Sequence, residues 1–163
     1  MLDLVILLSQ AVSVALMAAW LTLGVRDNIL HPSVNEIYTA QVMQMSRMRE
    51  DFPDEYALVA HRAVSSRATQ QFAFRTVVVA ELLTTIMLWI GVITLVMGLF
   101  GMTPTETGRA LAMIGTLMFT CIWAGFLVVG NHFSYWFCHE DAQNTHYQMT
   151  LWGLGNLIFL AAV

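Results

Sequence analysis

The chain has no lysine, and only 11% of its 163 residues are charged, against about 25% in an ordinary soluble domain. A formal net charge of −4 argues against nucleic acid as a partner, which needs a basic footprint. Only two cysteines are present, Cys121 and Cys138. They lie too far apart along a helix to form an obvious disulfide, so both are read as free thiols. There is no nucleophile elbow, phosphate loop or pair of carboxylates around a cleft, and the expectation is that the protein is not an enzyme. The N-terminal "MLDL" has no basic start and "WLTLGVRDN" offers no small-residue cleavage pattern, so the first apolar run is expected to be a retained helix rather than a signal peptide.

What the chain has in abundance is apolar surface: 58% of its residues are hydrophobic. Four runs are read as membrane spans, at about residues 4–24, 76–100, 110–131 and 144–163. A bilayer core of about 30 Å takes roughly 20 apolar residues as a helix. The fourth run meets that length only if it begins near Asn144, which brings His146 to the membrane surface. The expected fold is therefore all-α: one domain over residues 1–163, a four-helix transmembrane bundle with an amphipathic helical cap between spans 1 and 2. The cap is the segment 25–75. Within it Ser33 and Glu36 stand at capping-box spacing, and Ile37, Tyr38, Val42, Met45, Met48 and Phe52 form one stripe of a helix closed by Pro53. A short second helix follows at "DEYALVAHRAV", and Ser65 or Ser66 then caps the helix that becomes span 2.

Small residues mark helix contacts in lipid. Ala11, Ala15 and Ala19 on span 1, and Ala112, Thr116, Thr120 and Ala124 on span 3, are read as packing stripes. Glu81 lies at membrane depth, where a carboxylate costs roughly 2.5–3.5 kcal/mol on insertion scales. It is read as a hydrogen-bonding pin between helices, with Arg26, Asn131, His132 and His146 as its candidate partners and a ligand or proton-relay role as the alternative. All five histidines fall on the cap side. His132, His139 and His146 are spaced by seven residues, which matches no common metal-ligand spacing, and Met43, Met45 and Met48 are thioethers of the kind that suits Cu(I). No cofactor is predicted; copper, zinc and haem are the alternatives these residues raise. The competing reading of Asn131, His132, Tyr135 and Trp136 is an interfacial girdle.

The order "DNILHPSVN", "MREDFP", "HRAVSS", then a membrane helix bearing Glu81, and the close of span 3 at "GFLVVGNHFSYW", resembles the bacterial predicted small integral membrane proteins grouped as domain of unknown function 2165. The likeness covers nearly the whole chain. Met48, Phe52 and Pro53 keep that family's spacing, Arg62 and Ala63 stand where it has an Arg-Ala pair, and Glu81 matches its membrane acid. His132 and Arg49 stand where the family tends to have acids, and a second tryptophan in the last turn is missing. The resemblance implies both termini in the cytoplasm and the loop 25–75 in the periplasm. Six of the seven arginines lie on that loop side, and a positive-inside count points the other way.

Together these features predict a multi-pass protein of the bacterial inner membrane. Its partners are the lipid bilayer and other integral membrane subunits, and it serves as a non-catalytic accessory subunit of a larger respiratory, photosynthetic or oxidase complex. The alternative is a small membrane protein that binds a metal or cofactor through the histidine cluster. A third reading is a transporter with Glu81 as proton carrier.

Overall fold

On the first apolar run, the positions Leu7, Ala11, Val14, Ala18, Leu21, Val25 and Asn28 alternate steps of four and three residues, and all are buried. That heptad rhythm keeps one seam against a neighbouring helix along the whole length. In the computed structural model, which describes residues 1–162, this run forms α1 (Leu2–Leu30). The described residues are all-helical, with no strand. After α1 come α2 (Pro32–Gln44), α3 (Ser46–Asp51), α4 (Pro53–Val59), a 3₁₀ turn (Ala60–Arg62), α5 (Arg67–Leu99), α6 (Thr105–His132), a second 3₁₀ turn (Tyr135–Phe137) and α7 (Glu140–Ala161).

Among the described residues three helices, α1, α5 and α6, are long and apolar enough to cross a membrane. At 1.5 Å per residue, the 33 residues of α5 reach roughly 50 Å, well beyond a bilayer core. The fourth expected span, 144–163, falls in α7, which is not one of the three. Its first turns carry Glu140, Asp141, Gln143 and Asn144, which lower its apolar character. Residue 163 lies outside the described residues.

The helix α5 lies along both α6 and α1, and α6 lies along α7. Glycines set the first of these contacts. A Cβ on Gly91 would stand 2.6 Å from the Cα of Ala112, and one on Gly115 2.9 Å from the backbone nitrogen of Leu88, so the two backbones approach as closely as small residues permit. On the far side of α6, Gly153 of α7 sits directly against Thr120. Polar groups join α1 to α7: the Gln10 side-chain amide donates to the Phe159 carbonyl at 2.9 Å, and the Ser13 hydroxyl donates to Asn156 at 2.6 Å. Trp20 meets Phe119, Trp123 and Trp152 edge-on, with ring centroids 5.4–6.4 Å apart.

The expected packing stripes are corrected in part. Ala11, Ala112, Thr116 and Thr120 are buried and Ala15 and Ala124 half-buried, but Ala19 is exposed. A step of four residues turns about 400°, so an i+4 stripe drifts by about 40° per step. On α1 the drift carries Ala19 off the seam, which Ala18 occupies instead. On α6 the same drift is useful, because it turns the stripe from α5 at Ala112 toward α7 at Thr120.

The single amphipathic helix expected to start at Ser33 and end at Phe52 is also corrected. It breaks at Met45, whose φ of 51° is left-handed, and continues as α3. The break lets Met45 and Met48 both bury against Phe133, while Ile37, Tyr38 and Phe52 of the expected stripe stay exposed. Burial of two large side chains offsets the cost of about 1–3 kcal/mol for a non-glycine residue in that region. Ser33 makes no capping hydrogen bond. Glu36 instead accepts from Arg67 at 3.1 Å and Gln71 at 2.9 Å, tying α2 to the start of α5. Ser66 does cap α5, accepting from the Thr69 backbone.

Candidate functional site

Where α2 packs against α5 and α1, the helices do not close completely. A cavity of about 310 Å³ remains, at the lower end of the range for small-molecule sites. Asn28 of α1, Asn35 and Tyr38 of α2, Phe74 and Glu81 of α5, Trp123 and Phe126 of α6, Tyr135 and His146 all line it. Asn35, Tyr38 and Val129 line the cavity and are also exposed, which places its mouth beside α2.

One wall carries a polar chain. The Asn35 amide donates to the Asn28 side-chain oxygen at 2.6 Å, and the Asn28 amide donates to Glu81 Oε2 at 2.8 Å. Glu81 is buried and its hydrogen bond from Asn28 joins α5 to α1, but none of the expected partners holds it. Arg26 is exposed and pairs with its neighbour Asp27 at 2.9 Å. Asn131 and His132 are exposed on the last turn of α6. The partner missed was Asn28, although the heptad seam of α1 ends on it: an amide on an otherwise apolar buried stripe needs a polar partner.

The opposite wall is aromatic. A Cβ on Gly130 would stand 2.6 Å from the Tyr135 ring, so only glycine there lets that ring lie against α6. The chain reaches this position through Ser134, at a φ of 51°. His146 projects from α7 toward the same place, with ring centroids 4.7 Å from Phe126, 5.5 Å from Trp123 and 6.0 Å from Tyr135. Trp123 Nε1, the Tyr135 hydroxyl and His146 Nδ1 are buried and have no hydrogen-bond partner among the described residues. Most buried polar groups are paired, and leaving one unpaired costs about 1–3 kcal/mol. The residues that carry these three atoms all line the cavity. Burial pushes the Tyr135 phenol up to about 12, so it remains a hydroxyl able to donate or accept at neutral pH.

The three histidines spaced by seven are not brought together. His132 is exposed and packs edge-on against Phe133. His139 is buried before α7, its Nδ1 3.1 Å from the Tyr38 hydroxyl, and burial, with a smaller effect from the Arg47 charge, lowers its pKa. His146 alone reaches the cavity. Among the described residues no three His, Cys, Asp or Glu side chains converge to hold a metal ion. Met45 and Met48 form the core of a small apolar cluster, with Met43 packed against it, and the Met43 carbonyl accepts from the Val64 backbone at 2.8 Å. Of the expected girdle, Asn131, His132 and Trp136 are exposed, but Tyr135 is buried. Both cysteines are free. Burial and then the Asp51 charge raise the Cys138 thiol, against an opposing Arg47, so it has little thiolate character.

The fold and cavity define an α-helical integral membrane protein with an internal site where α2 crosses its long helices. The chain belongs to the family described as predicted small integral membrane protein (DUF2165), which it matches over residues 6–162. No curated protein and no solved structure gives a significant match.

Proposed function

We propose that this protein binds a small amphipathic molecule in the cavity under α2. The observation that carries this reading is the cavity itself, a largely apolar space of about 310 Å³ with the buried carboxylate of Glu81 on its wall. In this reading α7 is the fourth span, α2–α4 form an extramembrane cap over a four-helix bundle, and the cap acts as a lid held at Asn35, Glu36 and Tyr38. The site binds and does not catalyse, and the reading invokes no copper, zinc or haem. The location proposed is the bacterial inner membrane, with both termini cytoplasmic and the cap periplasmic. That orientation is the one the family resemblance implies.

Ala73 is half-buried and lines the cavity, so Ala73→Trp fills it. Protein extracted from native membranes in mild detergent should release one defined small molecule into organic solvent, identified by mass spectrometry. The Ala73→Trp protein should release at most about a tenth as much. Equal amounts from both proteins would remove the cavity from consideration.

A second reading, an accessory subunit of a larger membrane complex, is favoured by the apolar side chains that the cap exposes. Val34, Ile37 and Leu58 are 68%, 56% and 78% exposed, and a partner could cover them. Native-mass separation of the mild-detergent extract should then show the chain migrating with a larger assembly, and migration alone would count against this reading.

A further inference from the structure

Glu81 is the only Asp, Glu, Arg or Lys among the described residues that line the cavity. Its single side-chain donor is the neutral amide of Asn28, which reaches Oε2 only. The ion pairs found among the described residues lie elsewhere, at Arg26–Asp27 and Arg67–Glu36. The lining thus holds a carboxylate and, among the described residues, no Lys or Arg to pair with it. Around the same space stand the rings of Tyr38, Phe74, Trp123, Phe126, Phe133 and Tyr135. Aromatic faces carry negative quadrupole potential, and a cation within about 6 Å of a ring centroid is attracted to it. The buried charge and the surrounding rings therefore favour the same sign of ligand charge. An anion would face the carboxylate with only the His146 imidazole, packed against Phe126 and Trp123, beside it, whereas a cation would stabilise the ionised form of Glu81.

We infer that the ligand is an organic cation, a hydrophobic amine or quaternary ammonium about the size of one substituted ring, whose charge pairs with Glu81 inside the aromatic box. The inference rests on the cavity reading above and adds the charge class of the ligand. A free amine and the choline group of a lipid share this chemistry.

The test uses the full chain in a maltoside detergent and a matched pair of probes: benzyltrimethylammonium, and neopentylbenzene, its uncharged carbon isostere. Calorimetric titration should show the cation binding at least about tenfold more tightly than the isostere. In Glu81→Gln, whose amide oxygen can still accept from Asn28, the ratio of the two affinities should fall to near one. Glu81→Asp, which keeps the charge, should retain the preference. Equal affinity of the wild type for both probes overturns the inference while leaving the cavity reading intact, and so does a preference that survives in Glu81→Gln. Failure of both probes to bind also overturns it, and the cavity reading is judged separately by the Ala73→Trp comparison. Where the cation does bind, transfer to phosphatidylcholine nanodiscs separates the two sources. A choline-headgroup site loses apparent affinity for the probe relative to nanodiscs of an uncharged glycolipid, digalactosyldiacylglycerol, and a free-amine site does not.

Discussion

Replacing Gly91 with leucine should destabilise the protein by about 3 kcal/mol or more, at the upper end of what overpacking costs. The added Cβ would stand 2.6 Å from the Cα and 2.9 Å from the backbone nitrogen of Ala112. Both are main-chain atoms on a neighbouring helix, so no rotamer change relieves the clash and α5 must separate from α6. The same glycine lies on the seam that continues toward Glu81, and separation there would also distort the cavity. Gly125→Ala is the matching control on α6, since nothing lies within 4 Å of a Cβ at that position. It should be neutral or slightly stabilising, because glycine in a helix interior is roughly 0.5–1 kcal/mol worse than alanine. Denaturation in mixed micelles, followed by circular dichroism, compares the two. A Gly91→Leu protein as stable as Gly125→Ala would show that α5 and α6 do not meet as described.

The second large effect is expected at Asn28. Asn28→Leu removes the donor to Glu81 Oε2 and the acceptor for Asn35 in one step. It leaves a buried carboxylate without a hydrogen bond. Hydrogen bonds to charged groups contribute about 1.5–3 kcal/mol, and an uncompensated buried charge costs about 3–5 kcal/mol. A loss of about 3 kcal/mol is therefore expected for Asn28→Leu, and Asn28→Leu combined with Glu81→Leu should recover most of it. A double-mutant cycle measures that coupling directly. If the two losses simply add, Asn28 and Glu81 are not partners. The cycle also separates the structural role of Glu81 from its proposed role toward a ligand, since the pin is read by stability and the ligand by the ratio of probe affinities.

Accessory-subunit, ligand-site and transporter readings make different demands on Glu81. As part of an accessory subunit it need only hold α1 to α5. A ligand site requires its free oxygen to face a space, and the cavity provides that space. A proton carrier would need in addition a route away from the site, and the polar groups at the other end of α1, Gln10 with Arg109 at 3.0 Å, belong to a separate cluster.

The family was legible in the sequence through the resemblance of its motifs, and the sequence alone determined the membrane class and the three long spans. These follow from length, hydropathy and local spacing, which the chain displays without knowledge of its neighbours. Ser66 as the cap of α5 was legible for the same reason, because capping is local. The burial of Glu81 was legible from its depth in an apolar run. Its partner was not, since Asn28 lies 53 residues away and only the packing of α1 on α5 brings the two together. The break at Met45 was equally hidden, because the apolar stripe runs straight through it and the competing reward, burial against Phe133, comes from the far end of α6. The histidine spacing was visible but uninformative: a period of seven keeps side chains on one face only if the helix is continuous, and the turn at Ser134–His139 interrupts it. The cavity itself is a product of tertiary structure. Its lining comes from α1, α2, α5, α6, α7 and the turn between the last two, with Gly130 admitting the Tyr135 ring, and its volume cannot be read from any one segment of the chain.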